Sequence, residues 1–323
     1  MTNMRTCIRK CSNVHHAPKG GILALEQVME EVRNTHGGTD TCSTGMLLHG
    51  LLGAGRNWRS FAKDLAKQSA AASPGTYQLW LADLRNHGKT AQLEPQRFKA
   101  PHDIDATAGD VLRTVRRELE KAPDVLIGHS LSGKVVLDYL KKTAGTKEAP
   151  KHAWILDSLP GIANNQNDAN RDVSHVLAKL ATLPKAIPSR NWLYQELQRD
   201  GFSDELSLWM GSNLRSSPGG SKEGLVWTFH LEGVAQMYDS YLKGDYWEVL
   251  ENRESNTTIH VVRAERSDRW DDQTLRRLED TRRSNPLLQV HVLPNAGHWL
   301  HTDNPQGLKD LIVPTLVHPA AQR

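Results

Sequence analysis

The run His49-Gly50-Leu51-Leu52-Gly53, Ser130 and His298 bring together, in chain order, residue types suited to acyl-transfer chemistry. Ser130 sits in Asp124-Val125-Leu126-Ile127-Gly128-His129-Ser130-Leu131-Ser132-Gly133-Lys134. A short apolar run there meets a small-x-Ser-x-small turn, and an amphipathic stretch over 134–142 follows at once. The pattern predicts a strand, a sharp turn and a helix. Such a turn lifts the Ser130 hydroxyl clear of the sheet and sets it at a helix N-terminus, whose N–H groups favour an oxyanion. Gly128 and Ser132 must be small, because the turn presses their Cα atoms against neighbouring backbone. A buried serine in an ordinary strand-to-helix turn would show the same motif, so its partners decide the reading.

Those partners lie where the chemistry needs them. Residues 289–293 (Gln-Val-His-Val-Leu) read as a strand, followed by Pro294-Asn295-Ala296-Gly297-His298-Trp299. A histidine on the loop after a last strand is placed to act as general base. Upstream, Gly45-Met46-Leu47-Leu48 reads as a strand running into the His-Gly-x-x-Gly loop at His49. The N–H after that His-Gly pair, Leu51, and the N–H after the serine, Leu131, are the expected oxyanion donors.

These residues need a scaffold, and the rest of the chain reads as one. Apolar runs at 78–82, 125–127, 153–156 and 258–263 predict strands, and 58–72, 104–121 and 134–142 have helical spacing. The alternation predicts an α/β fold with a mostly parallel, doubly wound sheet. It breaks between 161 and 250, where four tryptophans (Trp192, Trp209, Trp227, Trp247) and a Ser-Pro-Gly loop occur without a clear strand. The expected organisation is an N-terminal extension with a first strand region (1–43), a core of 44–160 and 251–323, and a helical cap insertion over 161–250. The tryptophans read as cap core rather than as a ligand cage.

Composition narrows the function classes. The 323 residues are 38% hydrophobic and 24% charged with a net charge of +3, which suits a soluble globular protein and gives no reason to expect nucleic-acid binding. No apolar stretch approaches the roughly 20 residues needed to cross a bilayer. The three cysteines, Cys7, Cys11 and Cys42, all precede the first motif, which argues against a disulfide-built secreted fold. Cys7, Cys11, His15 and His16 have poor ligand spacing, so neither a metal nor a cofactor is expected. Residues 1–25 lack Asp and Glu but hold Arg5, Arg9, Lys10 and Lys19, a presequence flavour. The expected location is intracellular, with a lean toward mitochondrion or chloroplast over cytoplasm.

Taken together, the chain resembles an α/β-hydrolase, and more narrowly the α/β-hydrolase domain-containing protein 11 family in its plant or algal form. The resemblance spans about 46–317. It rests on His49-Gly50-Leu51-Leu52-Gly53 with Asn57-Trp58, Asp83-Leu84-Arg85-Asn86-His87-Gly88, the segment around Ser130 through Lys134, and Ala296-Gly297-His298-Trp299-Leu300-His301. The plant-like form adds Leu156-Asp157-Ser158-Leu159-Pro160-Gly161, the run from Leu231 to Tyr238, and Arg263-Ala264-Glu265-Arg266-Ser267. It implies a serine hydrolase of small or medium acyl esters, sometimes with transfer of the acyl group to alcohols. One departure is Ser132, where the family usually carries glycine.

The third member of a triad is less directly legible. Many α/β-hydrolases carry the acid after the strand that follows the cap, which here points to Asp268. The resembling family places it after the strand following the Ser130 helix, at Asp157. A strand's C-terminal end is rigid, which suits an acid that must orient an imidazole. Glu232 is a cap-region alternative, and the order of preference is Asp157, Glu232, Asp268. His87 with Gly88 reads as a structural turn, and His49, His129 and His301 as hydrogen-bonding scaffold. Lys134 reads as a solvated or loop-pinning lysine rather than a catalytic base, since His298 already fills that role.

The expectation is a cofactor-free esterase or acyl hydrolase acting on a small-molecule acyl ester, with Ser130, Asp157 and His298 as triad and oligomeric state unspecified. The rival is a ligand receptor or partner-binding protein on the same scaffold, because fold does not fix function.

Overall fold

The computed structural model describes residues 15–16, 22–32, 41–93, 98–163, 168–217, 220 and 224–317. Cys7, Cys11 and most of the basic N-terminal stretch lie outside these residues. Among the described residues ten strands occur, in chain order: β1 His15–His16, β2 Ala24–Val32, β3 Cys42–Leu48, β4 Gly75–Asp83 and β5 Val125–His129. The others are β6 His152–Leu156, β7 Leu214–Ser216, β8 Leu225–Trp227, β9 Thr258–Ala264 and β10 Leu288–Leu293. Eight of them form one sheet in the order β1-β2-β4-β3-β5-β6-β9-β10. From β4 to β10 the pairing is parallel, while β1 and β2 run antiparallel at one edge.

The alternating side chains of the central strands explain why both sheet faces are covered. Met46 and Leu48 of β3, Leu126 of β5, and Ala153 and Ile155 of β6 enter one core. Leu47, Val125, Ile127, Trp154 and Leu156 enter the other. The first core takes the apolar faces of the helices Ile104–Glu118 and Leu131–Thr143. The second takes those of Arg59–Ala72 and Pro305–Leu316.

The site follows from strand order and register. After β3 the chain crosses to β4 on one side, then returns to β5 on the other, so the loops leaving β3 and β5 diverge at adjacent strand ends. That is where open α/β sheets bind ligands. Leu48 pairs with Gly128, His129 with Leu156, and Leu156 with Val262. Ser130, Asp157 and the loop after β9 are thereby delivered side by side.

Between β6 and β9 lie the helices Asp168–Thr182, Arg190–Arg199, Asp204–Ser212, Leu231–Lys243 and Trp247–Glu251. No clear strand is expected there from the residue pattern, but β7 and β8 form a small antiparallel hairpin, extended by a bridge from Ile187 to Leu225. Three-residue strands are too short to show alternation. Trp247 is buried, and Trp192, Trp209 and Trp227 pack against the first core.

A chain of imidazoles crosses β6, β9 and β10 away from the site. His152 Nδ1 is 3.2 Å from His260 Nε2, and His260 Nδ1 is 3.2 Å from His291 Nε2. Trp154 stacks on His260 at 4.1 Å. Burial, then the neighbouring imidazoles, push His260 down to about 3. A histidine held low in the fold binds its proton only on unfolding, so it costs stability as pH falls below the unfolded value near 6.5. The melting temperature should therefore drop from pH 7 to pH 5. His260→Phe, which keeps a stacked ring, should lessen that drop, by up to about 1.4 kcal/mol of unfolding free energy per pH unit. An unchanged slope in the variant would show that His260 does not titrate on unfolding.

Candidate active site

Ser130 occupies the turn between β5 and the helix Leu131–Thr143 with φ 55° and ψ −122°. Such backbone is costly for a non-glycine residue and persists where its surroundings impose it. Here they do. Ser130 N–H donates to the Leu156 carbonyl at 2.9 Å and its own carbonyl accepts from Gly133 N–H at 2.8 Å. A Cβ on Gly128 would lie 2.2 Å from the Ser132 carbonyl oxygen, which explains the small residue there. Ser132 accommodates its departure from glycine by donating its hydroxyl to the His49 carbonyl. That bond ties the Ser130 turn to the His49–Gly53 loop.

The same loop is held from below by two neutral histidines of matching tautomer. His49 Nδ1 donates to the Gly50 carbonyl at 2.8 Å and its Nε2 accepts from Leu84 N–H at 3.1 Å. His87 Nδ1 donates to the Arg85 carbonyl at 2.8 Å and its Nε2 accepts from Leu52 N–H at 3.1 Å. Burial lowers His49 to about 4 and His87 to about 3, keeping each acceptor nitrogen unprotonated. Gly50 lies so close to the turn that a Cβ would approach Ser130 Cβ to 3.2 Å. The N–H groups of Leu51 and Leu131 have no hydrogen-bond partner among the described residues.

Asp157 follows β6 at φ 45° and is wholly buried. Its Oδ2 accepts from His298 Nδ1 at 2.8 Å and from the Ser267 hydroxyl at 2.9 Å. Its Oδ1 accepts from Trp270 Nε1 at 2.9 Å and from Ala264 N–H at 3.3 Å. Burial alone would raise its pKa, but the bond to His298 and that group's charge, with Trp270 and Arg269, hold it at about 2. It is therefore a carboxylate at neutral pH. His298 itself is lowered, chiefly by burial and then by Arg269, with Asp157 and Asp268 opposing. His129 Nε2 donates to the His298 carbonyl at 2.7 Å, so the residue before Ser130 also fixes the histidine loop.

The alternative acids lie differently. Asp268 is exposed and lines the cavity beside His298. Glu232 is exposed on the first turn of Leu231–Lys243, and no hydrogen bond joins it to His298 among the described residues. What that helix contributes is Gly233, packed on Asn86, and the His230 N–H donated to the Asn86 carbonyl at 2.8 Å. Lys134 is fully buried, and its Nζ donates to the carbonyls of Gly161, Tyr241 and Gly244 at 2.7, 2.5 and 2.9 Å. Burial lowers it to about 7. It pins the end of the Leu231–Lys243 helix to the Ser130 helix.

Three residues to which sequence reasoning gave no role at the site surround Asp157: Ser267, Arg269 and Trp270. In the sequence Ser267 stands only as the last residue of the run Arg263-Ala264-Glu265-Arg266-Ser267. The cavity measures about 620 Å³ and is shared by Ser130, His298, Leu51, Leu52, Arg269 and the apolar walls of Val173, Val176, Leu206, Trp209 and Trp299. Among the described residues no group of three His, Cys, Asp or Glu side chains could hold a metal ion, and no helix is long and apolar enough to cross a membrane.

A strained serine turn on a parallel sheet, with a histidine loop after the last strand, defines the α/β-hydrolase class, and the chain belongs to the alpha/beta hydrolase family, whose model matches residues 46–311. Among characterised relatives it is similar to the sn-1-specific diacylglycerol lipase ABHD11 of Mus musculus, 23% identical over 85% of this chain and 81% of that protein. It is also similar to protein phosphatase methylesterase 1 of Aspergillus fumigatus, 25% identical over 85% of this chain and 64% of that one. A solved esterase from a marine microorganism shares the fold with a TM-score of 0.71 at 19% identity, covering 91% of this chain and 99% of its own.

Proposed function

We propose that this chain is a serine hydrolase of small to medium acyl esters, working through Ser130, His298 and Asp157. The observation that supports it best is the 2.8 Å bond from His298 Nδ1 to the buried Asp157 carboxylate, in a cavity that Ser130 also lines. With Nδ1 as donor, Nε2 is the unprotonated nitrogen and accepts the Ser130 proton as Oγ attacks the acyl carbonyl. The unpartnered N–H groups of Leu51 and Leu131 receive the oxyanion. His298 then returns the proton to the leaving alcohol, and a water attacks the acyl-enzyme to release the acid. An alcohol in place of that water would give acyl transfer. Oxygen esters agree with a lipase and a methylesterase as relatives.

Residues 161–250 act in this reading as a cap, supplying Val173, Val176, Leu206 and Trp209 to the cavity wall. Each methylene buried there gains ~0.8 kcal/mol until the wall is reached and overpacking begins. Across p-nitrophenyl esters, kcat/KM should rise from acetyl to roughly butyryl or hexanoyl and then fall. Ser130→Ala should abolish the activity. A preference for palmitoyl esters would contradict a closed cap. Turnover of no ester by the folded protein would favour the ligand-receptor reading instead.

A further inference from the structure

Arg269 is the feature of the site that a triad does not require. It is buried on the loop after β9, its Nε lies 3.1 Å from His298 Nδ1 and 3.9 Å from Asp157 Oδ2, and it reaches the cavity wall. His298 Nδ1 is thus approached by a carboxylate oxygen at 2.8 Å and a guanidinium N–H at 3.1 Å. One ring nitrogen cannot serve both. Donating to Asp157 leaves Nε2 free as a base, whereas accepting from Arg269 would put the proton on Nε2 and disable it. Arginine is always a charged donor and the carboxylate only an acceptor, so the two neighbours favour opposite tautomers.

We infer that Arg269 is a positioning residue acting through His298: it competes with Asp157 for Nδ1 and sets a fixed positive charge against the imidazolium, keeping the base neutral into mildly acidic solution. This rests on the triad reading above. The other charged or titratable groups facing His298 are Asp157 from the end of β6, Asp268 on the loop of Arg269, His129 from the Ser130 turn and His301 on the following segment. Tyr238 and Tyr241 of the Leu231–Lys243 helix face Arg269 itself. The carboxylates favour a protonated His298, and Arg269 is the cation set against them at contact distance. Its removal therefore has one sign: the imidazolium becomes easier to form.

The test is the pH dependence of kcat/KM for the wild type, Arg269→Met and Arg269→Lys, each checked for folding by its melting curve. In Arg269→Met the acid limb should move up by about one pH unit, the scale on which one nearby charge shifts a titration. Arg269→Lys keeps the charge, and its limb should stay near that of the wild type. An unmoved limb in Arg269→Met, a limb moved downward, or equal movement in both variants would overturn the inference. Failure of the triad reading looks different: Ser130→Ala or His298→Ala would then remain active, whatever Arg269 does.

Discussion

Asp157→Asn is expected to lower kcat by about four orders of magnitude, the loss that follows when a triad acid is neutralised without altered packing. The amide keeps the shape of the side chain but offers His298 Nδ1 either a carbonyl or an NH2 group. Its orientation is contested by three donors, Ser267 Oγ, Trp270 Nε1 and Ala264 N–H, all of which need acceptors. An NH2 group turned toward Nδ1 forces the proton onto Nε2, where it blocks proton acceptance from Ser130. Arg269 beside the same nitrogen favours that outcome. Glu232→Gln should change kcat little, since Glu232 is exposed and unbonded to His298. Asp268→Asn should have a small effect, confined to the acid limb. Steady-state kinetics of the three folded variants check the ranking, and a crippled Glu232→Gln would reverse it.

Gly128→Ala should have the next largest effect, for a different reason. The added Cβ would lie 2.2 Å from the Ser132 carbonyl oxygen and 2.7 Å from Val136 Cγ2. Backbone oxygen cannot step aside as a flexible side chain can, so the Ser130 turn must move. Displacement by about 1 Å costs roughly 10²-fold in rate. Overpacking at this fully buried junction adds a destabilisation of about 1–3 kcal/mol. Both should appear together, as a lowered melting temperature and a lowered kcat in whatever fraction folds. A variant with wild-type kcat would show that the turn tolerates movement.

The legible part of this molecule was what periodicity and turn chemistry encode locally. The central strands read clearly because both their faces are buried and their apolar runs are unbroken, as in Val125-Leu126-Ile127. The Ser130 turn was legible because Gly128 and Ser132 are small for a steric reason visible in the sequence. Strand β2, reading Ala-Leu-Glu-Gln-Val-Met-Glu-Glu-Val, is legible only as a first strand region without bounds inside 1–43, since its last residues are only half-buried and acidic at the sheet's edge. The surroundings of Asp157 were illegible for another reason. Ser267, Arg269 and Trp270 lie more than 100 positions from Asp157, and only the pairing of β6 with β9 brings them together. Asn86 was legible as part of a turn, but its role as the seat for Gly233 needed the three-dimensional contact.

The most direct test of the proposed chemistry is reaction of the folded protein with a fluorophosphonate, read by intact mass and by mapping of the modified peptide. An activated serine reacts and an ordinary one does not, because only the former has a base to take its proton and N–H donors for the developing oxyanion. One phosphonyl group on Ser130 is expected, absent in Ser130→Ala and strongly slowed in His298→Ala and Asp157→Asn. Undiminished labelling of Ser130→Ala would place the nucleophile elsewhere, and no labelling of the folded wild type would contradict the account of this site as a hydrolytic centre.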